Sequence, residues 1–423
     1  MQNSNLSAVF CCPATARPAV LEGDWLGQDG THALVATLPV SVLEGAAEAL
    51  SELPAWLAWH AEKYPAGAAI GFLSYELARF FEALPLTKRD SLPDLSFAYY
   101  PRIFRLPHRV VSPPQSFSGQ DFKVRTNFDA RSYAKALAKI RDYLVAGDIY
   151  QANLTQQFRV SLRDQPPEGV YDRLSAGHAP FRAYLKSPTR TIISHSPERF
   201  FRVSGRHILA SPIKGTIARS GDAGGDKKKI SQLLASEKDR AENIMIVDLI
   251  RNDLGRICEY HTIQAQLYEV VPLPQLFHLV SHVRGVLRAE VGLLEILRAL
   301  FPCGSITGAP KIRAMEILAE IEQAPRGVSM GAIGIILGTP GSDNCAMDFN
   351  VAIRTMTIEG DAAVFNVGGG IVYDSNPVAE YEELLLKAQP LLEALPAARA
   401  LEPVDERAQI LGRQSRTMDR FVL

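Results

Sequence analysis

Hydrophobic and polar positions recur with two different periods along this chain, and the switches between them mark its elements. Tyr133, Leu137, Ile140 and Leu144 stand at helical spacing, which predicts a helix over 130–146 stopped by Gly147. The period then changes to two. Tyr150, Ala152, Leu154, Phe158 and Val160 face one way, and Gln151, Asn153, Thr155 and Gln157 the other, which predicts a strand with a polar stripe. Such a stripe can face solvent or line a polar cleft.

Residues 191–214 read as two strands around Ser204-Gly205-Arg206. A three-residue loop there pairs Val203 with His207 and sets Glu198 opposite Pro212. Lys214 then falls one diagonal from Glu198 on the same face. A two-residue loop puts the two on opposite faces. Residues 345–367 read as a second hairpin around Glu359-Gly360-Asp361, with Met347, Phe349, Val351 and Ile353 on its apolar face. That register sets Arg354 opposite Asn366, beside Gly368-Gly369-Gly370. An arginine among exposed amides can clamp a carboxylate or phosphate; a surface arginine beside a turn is the other reading.

Two helical stretches carry carboxylates that need explaining. In 236–256, Glu242 shares a face with Met245, Ile246, Leu249 and Asp253. A carboxylate there is costly unless a metal, a lysine or solvent meets it. In the last helix, opened by Pro377, Glu380, Glu383 and Lys387 fall at i, i+3 and i+7. Two carboxylates one turn apart can hold Mg²⁺ or simply pair with the lysine. The segment 301–318 is a Gly-rich turn entering a helix near Pro310, a place that attracts anions, though its spacing is not that of a P-loop.

Composition narrows the field. Of 423 residues, 47% are hydrophobic and 22% charged, and Lys plus Arg (45) balances Asp plus Glu (46). A net charge of -1 removes the whole-protein electrostatic case for nucleic acid or an anionic membrane surface. No apolar run approaches the roughly 20 residues of a membrane span, and the N-terminus lacks the basic start of a secretory signal. Cys11, Cys12, Cys258, Cys303 and Cys345 form no CxxC pair, which predicts free thiols in a reducing cytoplasm. The Pro- and Ser-rich stretch 106–121 divides an N-terminal region (1–115) from a larger one (116–395), and 396–423 reads as a loosely held tail.

Several of these segments, in order, resemble the signatures of the chorismate-utilising enzymes: GDIYQANLT (147–155), SPERF (196–200), PIKGT (212–216), AENIMIVDLIRNDLGR (241–256), GSITGAPKIRAMEI (304–317), IRT (353–355), GGGIVYDS (368–375) and AEYEELLLKA (379–388). GFLSYELARFFE (71–82) is similar to that family's first subdomain. The resemblance implies an α+β fold of two antiparallel-sheet subdomains packed as a sandwich, flanked by helices, with the active site in the cleft. It also implies chorismate as substrate and Mg²⁺ held by Glu242 and Glu383, with Glu380 nearby. Arg354, the amides of Gly368, Gly369 and Gly370, and the Gly215-Thr216 turn would hold the second carboxylate. His278 and Lys387 would line the pocket.

Within the family, Lys214 in PIKGT and Gln151 are similar to the aminodeoxychorismate synthase branch; anthranilate synthases carry alanine at the first position, and water-using members carry lysine at the second. In that branch an enzyme amine attacks the conjugated ring, the hydroxyl leaves, and ammonia displaces the enzyme. An amine attacks only when uncharged, which desolvation or nearby positive charge would favour. Glu198 is the candidate acid/base for the departing hydroxyl. No glutaminase triad motif is present, so the resemblance implies a separate glutamine amidotransferase subunit supplying ammonia. With only a short tail in place of a lyase domain, the expected product is aminodeoxychorismate. Other readings are an anthranilate synthase component, or a chorismate-binding regulator without catalysis. Two features depart from the family: Ile335 stands where a tyrosine is usual, and the GTPGSD loop is long.

Overall fold

The computed structural model describes residues 6–27, 30–86, 92–107, 124–162, 165–175, 179–338, 342 and 345–395. Most of the 106–121 stretch, most of the GTPGSD loop and the 396–423 tail lie outside the described residues. Among the described residues the chain forms two ten-stranded antiparallel sheets. One face of each sheet meets the other through an apolar layer that includes Leu21, Leu34 and Ile192 of the first sheet and Ile70, Phe72, Ile333 and Ile335 of the second. Helices cover both outer faces. Ala130–Ala146, Lys311–Ile321 and Pro377–Ala394 pack over the first sheet, and Glu237–Gly255 and Leu293–Leu300 over the second. The α+β sandwich flanked by helices is therefore the observed fold.

Each sheet mixes strands from both ends of the chain. Ala19–Gly23 pairs with Phe181–Lys186 in the first sheet, and Ala68–Leu73 pairs with Ala332–Leu337 in the second. The 130–146 helix runs as predicted, capped by Asp129 and closed by Gly147 in the left-handed region at φ 79°. The polar stripe of the strand Gln151–Ser161 does not face solvent: Gln151, Asn153 and Thr155 are buried. None of the five cysteines forms a disulfide. Among the described residues no helix is long and apolar enough to cross a membrane.

Two register expectations need correction. In the hairpin of Arg199–Ser204 and His207–Ser211 the loop is two residues, not three, because Ser204 pairs with His207 and Val203 with Ile208. A bulge between Arg199 and Arg202 then shifts the register back, so that Arg199 faces Ser211. The ladder thus runs on toward Glu198 opposite Pro212, as expected, by a different route. The second stretch is not one hairpin. Ala346–Val351 lies in the second sheet, while Thr355–Glu359 and Ala362–Ile371 form a two-residue-turn hairpin in the first. The chain crosses between sheets at Ala352-Ile353-Arg354, with Arg354 in the left-handed region at φ 48°. Arg354 consequently does not pair with Asn366; its carbonyl instead accepts the amide of His195, in the first sheet, at 3.0 Å.

Candidate active site

Lys214 owes its placement to a second bulge. Ile213 pairs with Val280 and Thr216 with His278, so Lys214 and Gly215 together oppose the single residue Leu279. Gly215 takes φ 91°, a conformation costly for any residue with a Cβ. Bulges of this kind re-aim side chains next to active sites.

Lys214 lies within electrostatic reach of two carboxylates. One is Glu198, 4% exposed. Burial pushes its carboxyl up to about 7, against the Ser305 hydroxyl, the Lys214 charge and the Ile213 amide, which favour the carboxylate. Its Oε1 has no hydrogen-bond partner. A carboxyl balanced near neutrality beside an amine is suited to proton transfer. The other is Glu383. Burial alone would raise its carboxyl, but the charge and hydrogen bond of Lys387, helped by Lys238 and Lys214, hold it below the usual range.

The same strand leads to a cluster of a threonine, a histidine and an arginine. Thr216 Oγ1 lies 2.8 Å from His278 Nδ1, and His278 Nε2 is buried without a partner. Burial, with the nearby Arg354 charge, presses the imidazole down to about 4, so it is neutral near pH 7. Arg354 is itself pushed down by burial. No carboxylate among the described residues approaches within ion-pair distance of it. A half-buried guanidinium with no carboxylate in reach, beside a neutral imidazole whose Nε2 has no partner, can receive an anion.

The triple glycine sits against the polar stripe. Gly368 pairs with Thr155, Gly369 with Leu154 and Gly370 with Asn153. A Cβ on Gly370 would stand 2.0 Å from Gln151 Nε2, and one on Gly368 2.8 Å from Asn153 Nδ2. Gln151 Oε1 and Asn153 Nδ2 are buried without partners. Lys387 Nζ donates to Gly368 O at 3.3 Å and pairs with Glu383 at 2.7 Å. The lysine of the 301–318 turn is used otherwise: Lys311 Nζ pairs with Asp253 at 2.7 Å and donates to Leu300 O at 2.9 Å. Ile335 is fully buried in the inter-sheet apolar layer.

Among the described residues no three His, Cys, Asp or Glu side chains gather as a ready-made metal set. The donor chemistry nevertheless fits a hard dication. Burial raises the Glu380 carboxyl, and Glu383 pushes it further, while Ser375 Oγ donates to it at 2.8 Å. Lys238 approaches Glu242 at 4.0 Å and also favours the charged forms of Glu380 and Glu383. Three carboxylates around one exposed ammonium form a neighbourhood that Mg²⁺ would suit.

Of the residues singled out in the sequence, the structure places Lys214 near Glu198 and Glu383, Thr216 against His278 near Arg354, and Lys387 between Glu383 and Gly368, while Glu242 connects to them only through Lys238. It missed Ser305 and Lys238. A serine inside the Gly-rich turn of 301–318 was the visible signal for the first. The second, one turn before Glu242 in a charged helix start, carried none.

Residues 41–393 match the family described as chorismate binding enzyme, and the chain belongs to that family. Aminodeoxychorismate synthase component 1 of Escherichia coli is 37% identical over 361 residues, covering 79% of this chain and 79% of the relative. Anthranilate synthase component 1 of Streptomyces coelicolor is 35% identical over 382 residues, covering 79% and 74%. The solved anthranilate synthase component I of Streptococcus pneumoniae superposes with a TM-score of 0.73 at 28% identity, covering 85% of this chain and 92% of that one.

Proposed function

We propose that this chain is an aminodeoxychorismate synthase component I, converting chorismate and ammonia to 4-amino-4-deoxychorismate. The observation that carries the reading is Lys214 on its bulge beside the protonatable, buried Glu198. The neutral amine of Lys214 would attack the ring carbon, and the hydroxyl would leave with the Glu198 proton as water. The proton released by the new ammonium group would return to Glu198. Ammonia would then displace the lysine nitrogen, which takes that proton from Glu198 and departs as the free amine, while the new amine, formed as an ammonium group, gives a proton back to Glu198. Arg354 and His278 Nε2 would hold one substrate carboxylate, with the amides of Gly368 to Gly370 and the Gly215-Thr216 turn.

Glu242, Glu380 and Glu383 would hold Mg²⁺, which when bound would anchor the ring carboxylate and polarise the conjugated system. Calorimetric Mg²⁺ binding should weaken in Glu383→Gln; unchanged binding would remove that residue from the site. Ammonia would come from a separate glutamine amidotransferase subunit, and the work would belong to the cytoplasm and to 4-aminobenzoate and folate synthesis.

The test is incubation with chorismate, Mg²⁺ and an ammonium salt, followed by mass analysis of the product and of the protein. Aminodeoxychorismate, with a transient adduct on the Lys214 peptide, is the expected result. Direct appearance of fluorescent anthranilate would overturn the reading in favour of the activity named for the Streptomyces relative. No turnover would favour a chorismate-binding regulator.

A further inference from the structure

The strand Gln151–Ser161 is satisfied along its second edge in an uncommon way. One edge pairs throughout with Ala362–Ile371, which carries the triple glycine. Along the other, short strands reach only the two ends: Gly308–Ala309 opposite Ala152 and Gln151, and Arg125–Thr126 opposite Arg159 and Phe158. The buried backbone between them still needs partners.

Thr307 O accepts the Asn153 amide and Asn127 Oδ1 the Gln157 amide, both at 2.8 Å, and Arg326 and Glu322 answer the Asn153 carbonyl and the Thr155 amide between them. The Arg326 side chain is 1% exposed. Its Nη2 donates to Asn153 O at 2.7 Å and its Nη1 to Ile306 O at 2.7 Å. Its Nε and Nη2 also grip Glu322 at 2.8 and 2.7 Å. Glu322 Oε1 in turn accepts the Thr155 amide at 2.8 Å and the Thr155 hydroxyl at 2.9 Å. Glu76 completes the group by accepting the amides of Arg326 at 2.7 Å and Gly327 at 3.0 Å.

We infer that Arg326 and Glu322 are positioning residues: as one clasp they fix the turn that presents Ser305 to Glu198 and the strand that backs the triple glycine. The link to the first is Ile306 O, in the same short turn (Gly304–Ile306) as Ser305. The link to the second is the pairing of Asn153 and Thr155 with Gly370 and Gly368. A planar fork reaching two carbonyls and a carboxylate is a task that arginine performs and lysine does not. The inference rests on the reading of Glu198 as the acid/base. Besides Lys214 and Ser305, Glu198 faces the Cys303 thiol, which burial and Glu198 itself push up to about 12, so that thiol stays protonated and does not compete.

The experiment follows the Glu198 carboxyl directly, by ¹³C NMR of glutamate-labelled protein with Glu198→Gln as the assignment control. In Arg326→Lys the charge opposite Glu322 is kept but the fork is lost. The Glu198 midpoint should rise by about half a pH unit or more, the worth of one hydrogen bond. Ser305→Ala should raise it similarly, and the double variant should add nothing further. The kcat should fall about tenfold or more, and the chorismate KM should rise a few-fold as the triple glycine loses its backing. A Glu198 midpoint unmoved in folded Arg326→Lys overturns the inference. Should that variant not fold, the isosteric Glu322→Gln takes its place, with a smaller rise expected and an unmoved midpoint equally fatal. The midpoint needs no turnover, so its failure is separate from that of the amination reading, which the wild-type product decides.

Discussion

Arg326 is buried and Arg354 half-buried on neighbouring segments, and the fold treats the two guanidinium groups in opposite ways. Around Arg326 every charge has an answer: a carboxylate, two carbonyls, and a Tyr75 ring 4.4 Å away. The carboxylate next to it raises its affinity for the proton despite burial. Arg354 has burial without an ion pair, and its affinity for the proton falls. A buried charge that is paired stabilises a geometry, whereas one left unpaired is destabilising until a ligand brings the partner. The same contrast separates Glu322, fully occupied, from Glu198, whose Oε1 is unpartnered.

The contrast can be tested from its strongest consequence downward. Lys214→Ala should lower amination at least about a thousandfold, as removal of a nucleophile does, with the thermal midpoint unchanged; wild-type turnover would end the covalent role. Next come the two arginines. Arg354→Ala should weaken chorismate binding about 100-fold, roughly 2–3 kcal/mol, and leave thermal stability equal or higher. Arg326→Ala should cost about 3–5 kcal/mol of unfolding free energy. Equal stability losses in the two variants would erase the distinction.

Glu198 gives a pH-dependent test. Its folded carboxyl titrates near 7 against an ordinary 4.5, so its contribution to stability is complete below 4.5 and is lost as pH rises through 7. Glu198→Gln, which keeps the neutral shape, should therefore gain about 3 kcal/mol over wild type at pH 8 and little at pH 4. Denaturant unfolding at the two pH values measures this. The smallest effect belongs to Thr216→Val, which removes the hydroxyl beside His278 and should raise the chorismate KM about five- to tenfold, the value of one hydrogen bond.

Much of the fold was legible from period and punctuation, because the 130–146 helix and the Gln151 strand declare themselves through local spacing. What escaped was non-local. Nothing between Val351 and Thr355, neither glycine nor proline, announces that the chain leaves one sheet for the other, so an alternating pattern read as one hairpin. The bulge at 200–201 was equally silent, since Phe200 and Phe201 are both apolar and both buried. The site residues were named by motif resemblance, and their grouping follows from Lys214, Thr216 and His278 sharing two paired strands. Arg326 and Glu322 went unnoticed because their partners are mostly backbone atoms, which no side-chain pattern reveals. Charged residues four apart at the edge of an apolar segment were the only hint.

The mixing of early and late strands in both sheets has a consequence for how the protein is made. Ala68–Leu73 leaves the ribosome long before Ala332–Leu337, its neighbour in the finished sheet, and Ala19–Gly23 waits for Phe181–Lys186. Until those segments emerge, apolar strands stand with open edges in a crowded cell. Synthesis of this protein should therefore depend on chaperones that shield nascent chains, and an N-terminal fragment ending near residue 107 should aggregate when expressed alone.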